Sequence, residues 1–196
     1  MKIWDLEQES EGLLGFVMKR REEKKRDIGT SVVAIKKELL ARGDGALTDF
    51  ARRWDGWEMD YPLKVSPDEI ATRSAEVPKA DLSILRGMIR NVTAYHKGQK
   101  PKGRTYRDRG VTVREAWVPV ERAMVYVPAG TAPYPSSLIM GAVPAKIAGG
   151  RHISVATPAR NGEVNPYILA SAKLLGIEEV FRVGGAQAVY AFAYGT

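Results

Sequence analysis

A chain of 196 residues, 44% hydrophobic and 27% charged, has the composition of a globular protein and is long enough to bury a substantial core. The absence of cysteine excludes a disulfide framework and any thiolate metal site, and no apolar run approaches the ~18 residues that a membrane-spanning helix needs. The net charge of +7 raises polyanion binding, but the densest basic cluster, "KRREEKKR" at 19–26, is interrupted by two glutamates and no nucleic-acid-binding motif accompanies it, so no nucleic-acid partner is expected.

The first residues, "MKIWDLEQESEGLLGF", are acidic where a signal peptide carries positive charge, which points to a cytoplasmic protein. Within the basic cluster, Glu22 precedes Arg26 by four residues, the spacing of an ion pair on a solvated helix face. "SVVAIKKELLARG" (31–43) has apolar residues at 32, 35, 39 and 40 on roughly one helical face and a glycine for its end. Asp44 is placed to cap a second short helix that Gly56 closes. "YPLKVSPDEI" predicts a short strand over 63–65 and then a helix start: Ser66 as N-cap, Pro67 at the first helical position, Glu69 at the third. A longer helix follows over about 79–97.

After "KGQKPKGR" the texture changes. Residues 105–127, including "GVTVREAWVPV" and "RAMVYVP", favour strands with a turn near 108–110. From there strands at 124–127, 153–156 and 179–183 alternate with helices at about 136–148, 165–175 and 186–194. Apolar strands alternating with helices imply parallel βαβ units with right-handed crossovers.

In an open parallel sheet, ligands bind beyond the carboxyl ends of the strands, and two loops fall there. "VPAGTAPYPSS" (127–137) combines small residues with rigid prolines, and Ser136 or Ser137 can cap the following helix. "RVGGAQA" (182–188) runs two glycines directly into a helix, with Gln187 offering a donor and an acceptor in its first turn. Neither matches a dinucleotide fingerprint or a phosphate loop, so spacing alone leaves open a nucleotide site or a pair of tight turns. His96 and His152 stand at element ends without the partners of a metal site, and no carboxylates pair for acid–base work. The residues therefore give a binding edge, no catalytic group and no metal ligand.

The stretches "YVPAGTAPYPSS", "LIMGAVPAKIAGG" and "NPYILASAKLLGIEEVFRVGGAQAVYAFAYGT", with "VVAIKKELLARGDGALTDFARRWDG", "LKVSPDEI" and "AYHKGQK" upstream, resemble the N-terminal half of the histidinol dehydrogenase family. The resemblance implies an α/β fold: an incomplete Rossmann-like parallel sheet preceded by an α+β segment with a helical N-terminus. It divides the chain into residues 1–30, a helical segment and dimer element; 31–120, part of a first α/β domain; and 121–196, part of a second, incomplete Rossmann-like domain.

The family enzyme oxidises L-histidinol to L-histidine in two NAD-dependent steps and requires zinc. By this resemblance Tyr126 and Gln187 contact NAD, and Ser136 belongs to the substrate-binding loop. The zinc ligands and the acid–base pair fall in the unmatched half of the family chain, so these residues alone are expected to be inactive, and the whole enzyme to be a homodimer. One departure is Ala129, where the family has a second glycine; a positive φ there would strain it. The alternatives are a paralogous NAD-dependent dehydrogenase of another small amino- or sulfo-alcohol, or a non-catalytic nucleotide-binding or assembly module.

Overall fold

The computed structural model describes residues 9–23, 28–59, 61–129 and 132–196. The Glu22–Arg26 pair, the centre of the basic cluster, and Gly130 and Thr131 of the first loop lie outside the described residues or their described side chains. Five helices open the chain: α1 (Ser10–Glu23), α2 (Ile28–Arg42), α3 (Asp44–Asp55), α4 (Pro67–Ser74) and α5 (Lys79–Lys97). The hairpin β1 (Thr105–Asp108) and β2 (Val111–Arg114) follows. The rest alternates: β3 (Arg122–Tyr126), α6 (Pro135–Ala148), β4 (His152–Thr157), α7 (Pro166–Leu174), β5 (Glu179–Arg182) and α8 (Gly185–Tyr194).

The helix starts show which local signals act. Ser66 Oγ accepts the Glu69 backbone N–H at 3.1 Å, with Pro67 at the first helical position, as expected. Asn165 Oδ1 accepts from the Tyr167 N–H at 2.9 Å and fixes the entry to α7. Two expected caps are corrected. Asp44 lies inside the first turn of α3, whose N-cap is Gly43. Neither Ser136 nor Ser137 caps α6; Tyr134 holds that position without a side-chain bond, and both serines are already helical because Pro135 opens the helix before them.

The parallel sheet has the order β3-β4-β5, with Tyr126 opposite Ala156 and Ala156 opposite Phe181. Consecutive neighbouring strands joined by right-handed crossovers place their helices on one face. Accordingly α6 and α7 share a core with α4 and α5, built on Ile153, Val155 and Val180 and including Val65, Leu85, Leu138 and Ile168. Helix α8 takes the other face. There Ala156 and Val183 meet Leu39, Ala46, Leu47 and Phe50 of α2 and α3, and Leu39 is 1% exposed. The helices before residue 100 thus cover both sides of the sheet that follows them, whereas no residue of α1 contributes to either core among the described residues.

Two strand expectations are corrected. Residues 63–65 form a single antiparallel bridge, Lys64 to Phe181, rather than a strand; the Val65 N–H donates to Val180 O and the Arg182 N–H to Leu63 O, sealing the β5 edge. Residues 115–121 form no strand after the hairpin, whose turn uses Arg109 and Gly110 at φ 44° and 82°. Alternation needs a surface to bury one side against, and among the described residues none covers this stretch: Trp117, Val118 and Val120 are exposed, Val118 by 82%. No helix among the described residues is long and apolar enough to cross a membrane.

Candidate functional site

Three loops converge at the carboxyl edge of the sheet. The loop after β5 is built around Gly184 and Gly185. Gly184 is extended (φ −117°) but packed so closely that an added Cβ would lie 2.8 Å from Pro158 Cβ, and closer still to its Cγ. Gly185 has φ +66°, a conformation that L side chains rarely adopt. One glycine is demanded by space, the other by backbone.

Tyr126 closes this turn onto β3. It ends the strand, stands 37% exposed, and its hydroxyl accepts the Gly185 N–H at 3.1 Å. Gln187, in the first turn of α8, is only 4% exposed and folds back over Gly185, where a Cβ would meet its Oε1 at 2.5 Å. Its amide has no hydrogen-bond partner among the described residues. Since no fully enclosed polar side-chain atom there lacks a partner, the amide reaches solvent, where it presents its N–H donors and its carbonyl acceptor. With its body held in place and its amide open, the side chain is set to take a ligand amide or hydroxyl.

Beside the turn lies a cleft of about 490 Å³ between the loops after β3 and β4, lined by Ala129, Pro133, Pro158, Arg160 and Asn161 among others, with Arg73 reaching in from α4. Arg73 is paired with Glu76 and Glu163, both at 3.2 Å, and Arg160 is exposed. Ala129 is not in the left-handed region and bridges Pro133, so alanine is unstrained where the family glycine would stand. Ser136 is half-buried in the first turn of α6 and does not line this cleft.

The third loop, "TPARNGEVNP", was not singled out by sequence reasoning. Its signals were an Asn-Gly turn pair directly after a strand, with Asn161 at φ 51°, and an Asn-Pro helix start. Trp57 pins it, donating Nε1–H to Ala159 O at 2.9 Å. His96 bonds Gln99 at 2.6 Å at the end of α5, and His152 begins β4 at the far edge of the sheet. No three His, Cys, Asp or Glu side chains gather to hold a metal among the described residues.

A family model described as histidinol dehydrogenase matches residues 18–196. The chain belongs to the histidinol dehydrogenase family. Histidinol dehydrogenase of Rhizobium meliloti (strain 1021) is 42% identical over 178 residues, 90% of this chain and 41% of that protein. That of Agrobacterium fabrum is 39% identical over all of this chain and 46% of its own. The crystal structure of histidinol dehydrogenase from Elizabethkingia anophelis superposes with a TM-score of 0.82 at 29% identity, covering 87% of this chain and 40% of that one. The chain therefore spans less than half the length of the histidinol dehydrogenases it matches, and the similarity takes in all three loops of the edge.

Proposed function

We propose that the full-length protein is a cytoplasmic, homodimeric, NAD-dependent and zinc-requiring histidinol dehydrogenase taking L-histidinol to L-histidine, and that residues 121–196 supply part of its cofactor edge. The observation that carries this reading is Gln187, whose body is buried while its amide stays open and without a partner among the described residues, set over a glycine turn that Tyr126 ties to β3. When bound, NAD supplies the hydride acceptor. The chain's own part is to bind and orient. The glycine pair lets backbone approach the cofactor, Gln187 meets its carboxamide or a hydroxyl, and Tyr126 keeps the turn in register with β3. Arg160 on the cleft rim suits the anionic part of a dinucleotide. Ser136 is the substrate-facing residue in this reading.

The described residues do not fit zinc, because no three His, Asp or Glu side chains gather among them. They also offer no paired acid and base, and we expect the 196 residues alone to turn over no histidinol. In the whole enzyme the chain then divides into a helical segment at 1–30, part of a first α/β domain at 31–120 and part of a second at 121–196. The exposed apolar stretch at 105–121 suits a first domain completed by chain outside this one, and exposed Leu14, Phe16 and Met18 of α1 suit a dimer contact.

The test is isothermal titration of NAD⁺ into the chain and into its Gln187→Ala variant. Saturable binding weakened at least tenfold by the substitution supports the reading. Equal affinity in the two proteins would remove Gln187 from the cofactor edge, and with it this assignment.

A further inference from the structure

We infer that Arg182 is the positioning residue of the cofactor edge: a buried guanidinium that sets the spacing between the loop after β4 and the glycine turn after β5. The inference rests on the cofactor reading above. Arg182 is the last residue of β5, two before Gly184, and is 4% exposed. Among the described residues it is the one charged side chain buried to this degree. The buried serines act locally or on a neighbouring strand: Ser74 and Ser171 bond carbonyls four residues back, and Ser154 bonds Glu179. Arg182 instead reaches across the chain.

Its Nε–H donates to Gly162 O at 2.7 Å. One terminal nitrogen donates to Pro62 O at 2.8 Å and to Lys64 O at 3.3 Å, and the other pairs with the Glu69 carboxylate. These partners belong to three separate segments. Gly162 lies between Asn161 and Glu163, which line the cleft. Lys64 makes the bridge that seals the β5 edge, with Pro62 two residues before it, and Glu69 is the residue whose backbone N–H Ser66 caps. The strand that carries the guanidinium runs straight into the turn that carries Gln187. One planar fork therefore fixes the cleft wall, the sheet edge and the glycine turn relative to one another.

A lysine cannot replace it. Its ammonium has the charge for Glu69 but lacks the flat, forked donors needed to hold Gly162 O and Pro62 O together. A role in general stability would loosen the whole chain; a positioning role loosens these loops first.

The experiment compares wild type with Arg182→Lys, Glu69→Gln and a control, Leu85→Val, that lowers global stability from α5, in the core that contains neither Val183 nor Ala188. Amide hydrogen exchange is followed together with NAD⁺ titration. Arg182→Lys is expected to speed exchange at residues 160–163 and 183–188 at least tenfold beyond the control at matched global stability, and to weaken NAD⁺ binding at least fivefold. Glu69→Gln, which keeps an acceptor, is expected to give a smaller change in the same amides. Exchange that rises evenly over the chain, as in the control, would overturn the inference. If Gln187→Ala leaves NAD⁺ binding unchanged, the cofactor reading fails, while the exchange comparison still decides whether Arg182 sets the loops.

Discussion

Gly184→Ala isolates the close approach between two loops of the site. The backbone there is extended, at φ −117° and ψ −177°, so alanine carries no conformational penalty and stiffens the unfolded chain, a gain of about 0.4–1 kcal/mol. Against this stands Pro158, whose Cβ and Cδ would lie 2.8 and 3.1 Å from the new methyl, with Cγ nearer still. A proline ring cannot rotate aside, so the loop after β4 must shift bodily, an overpacking cost of about 1–3 kcal/mol. The net expectation is a loss of about 1–2 kcal/mol by urea denaturation, from the difference of those two effects. Pro158→Ala removes the ring atoms but keeps Cβ, so the double variant should recover at least about 0.5 kcal/mol relative to additivity. A Gly184→Ala protein as stable as wild type, or strictly additive single effects, would refute the close approach.

Burial raises the Asp55 carboxyl from 3.8 to about 6, at the C-terminal end of α3 where the helix dipole also disfavours charge. The folded chain then holds this proton more tightly than the unfolded chain, so stability falls as pH rises from about 4 to about 6. Asp55→Asn should flatten that window and raise stability at pH 7 by about 1 kcal/mol, after discounting for solvent screening of a half-buried group; an unchanged pH profile would count against it. Trp117→Ser with Val118→Ser should leave the chain's stability within about 0.5 kcal/mol of wild type while lowering its self-association in light scattering. A clear loss of stability would mean that the stretch packs against something within the chain.

The sequence by itself determined what depends on near neighbours along the chain. Ser66-Pro67-Glu69 sets a helix start through a bond spanning three residues, Gly56 closes α3 in the left-handed region, and the spacing of apolar strands and helices from residue 122 gives parallel βαβ units. The two glycine-bearing loops and the family that carries them were legible for the same reason, since their motifs are runs of contiguous residues. Tertiary structure decided what joins distant segments. Whether "LKV" pairs as a strand depends on how much of the β5 edge is free, and it makes one bridge. Strand-like alternation in "REAWVPV" becomes a strand only against a surface to bury its apolar side, and none lies over it among the described residues. Gln187 becomes a candidate site residue because folding buries its body without pairing its amide among the described residues. Arg182 reads as an ordinary basic residue until Gly162, Pro62, Lys64 and Glu69, between 20 and 120 positions away, are folded around its guanidinium. Local bonding is written in the order of residues, but burial and long-range pairing exist only once the sheet has brought its loops together.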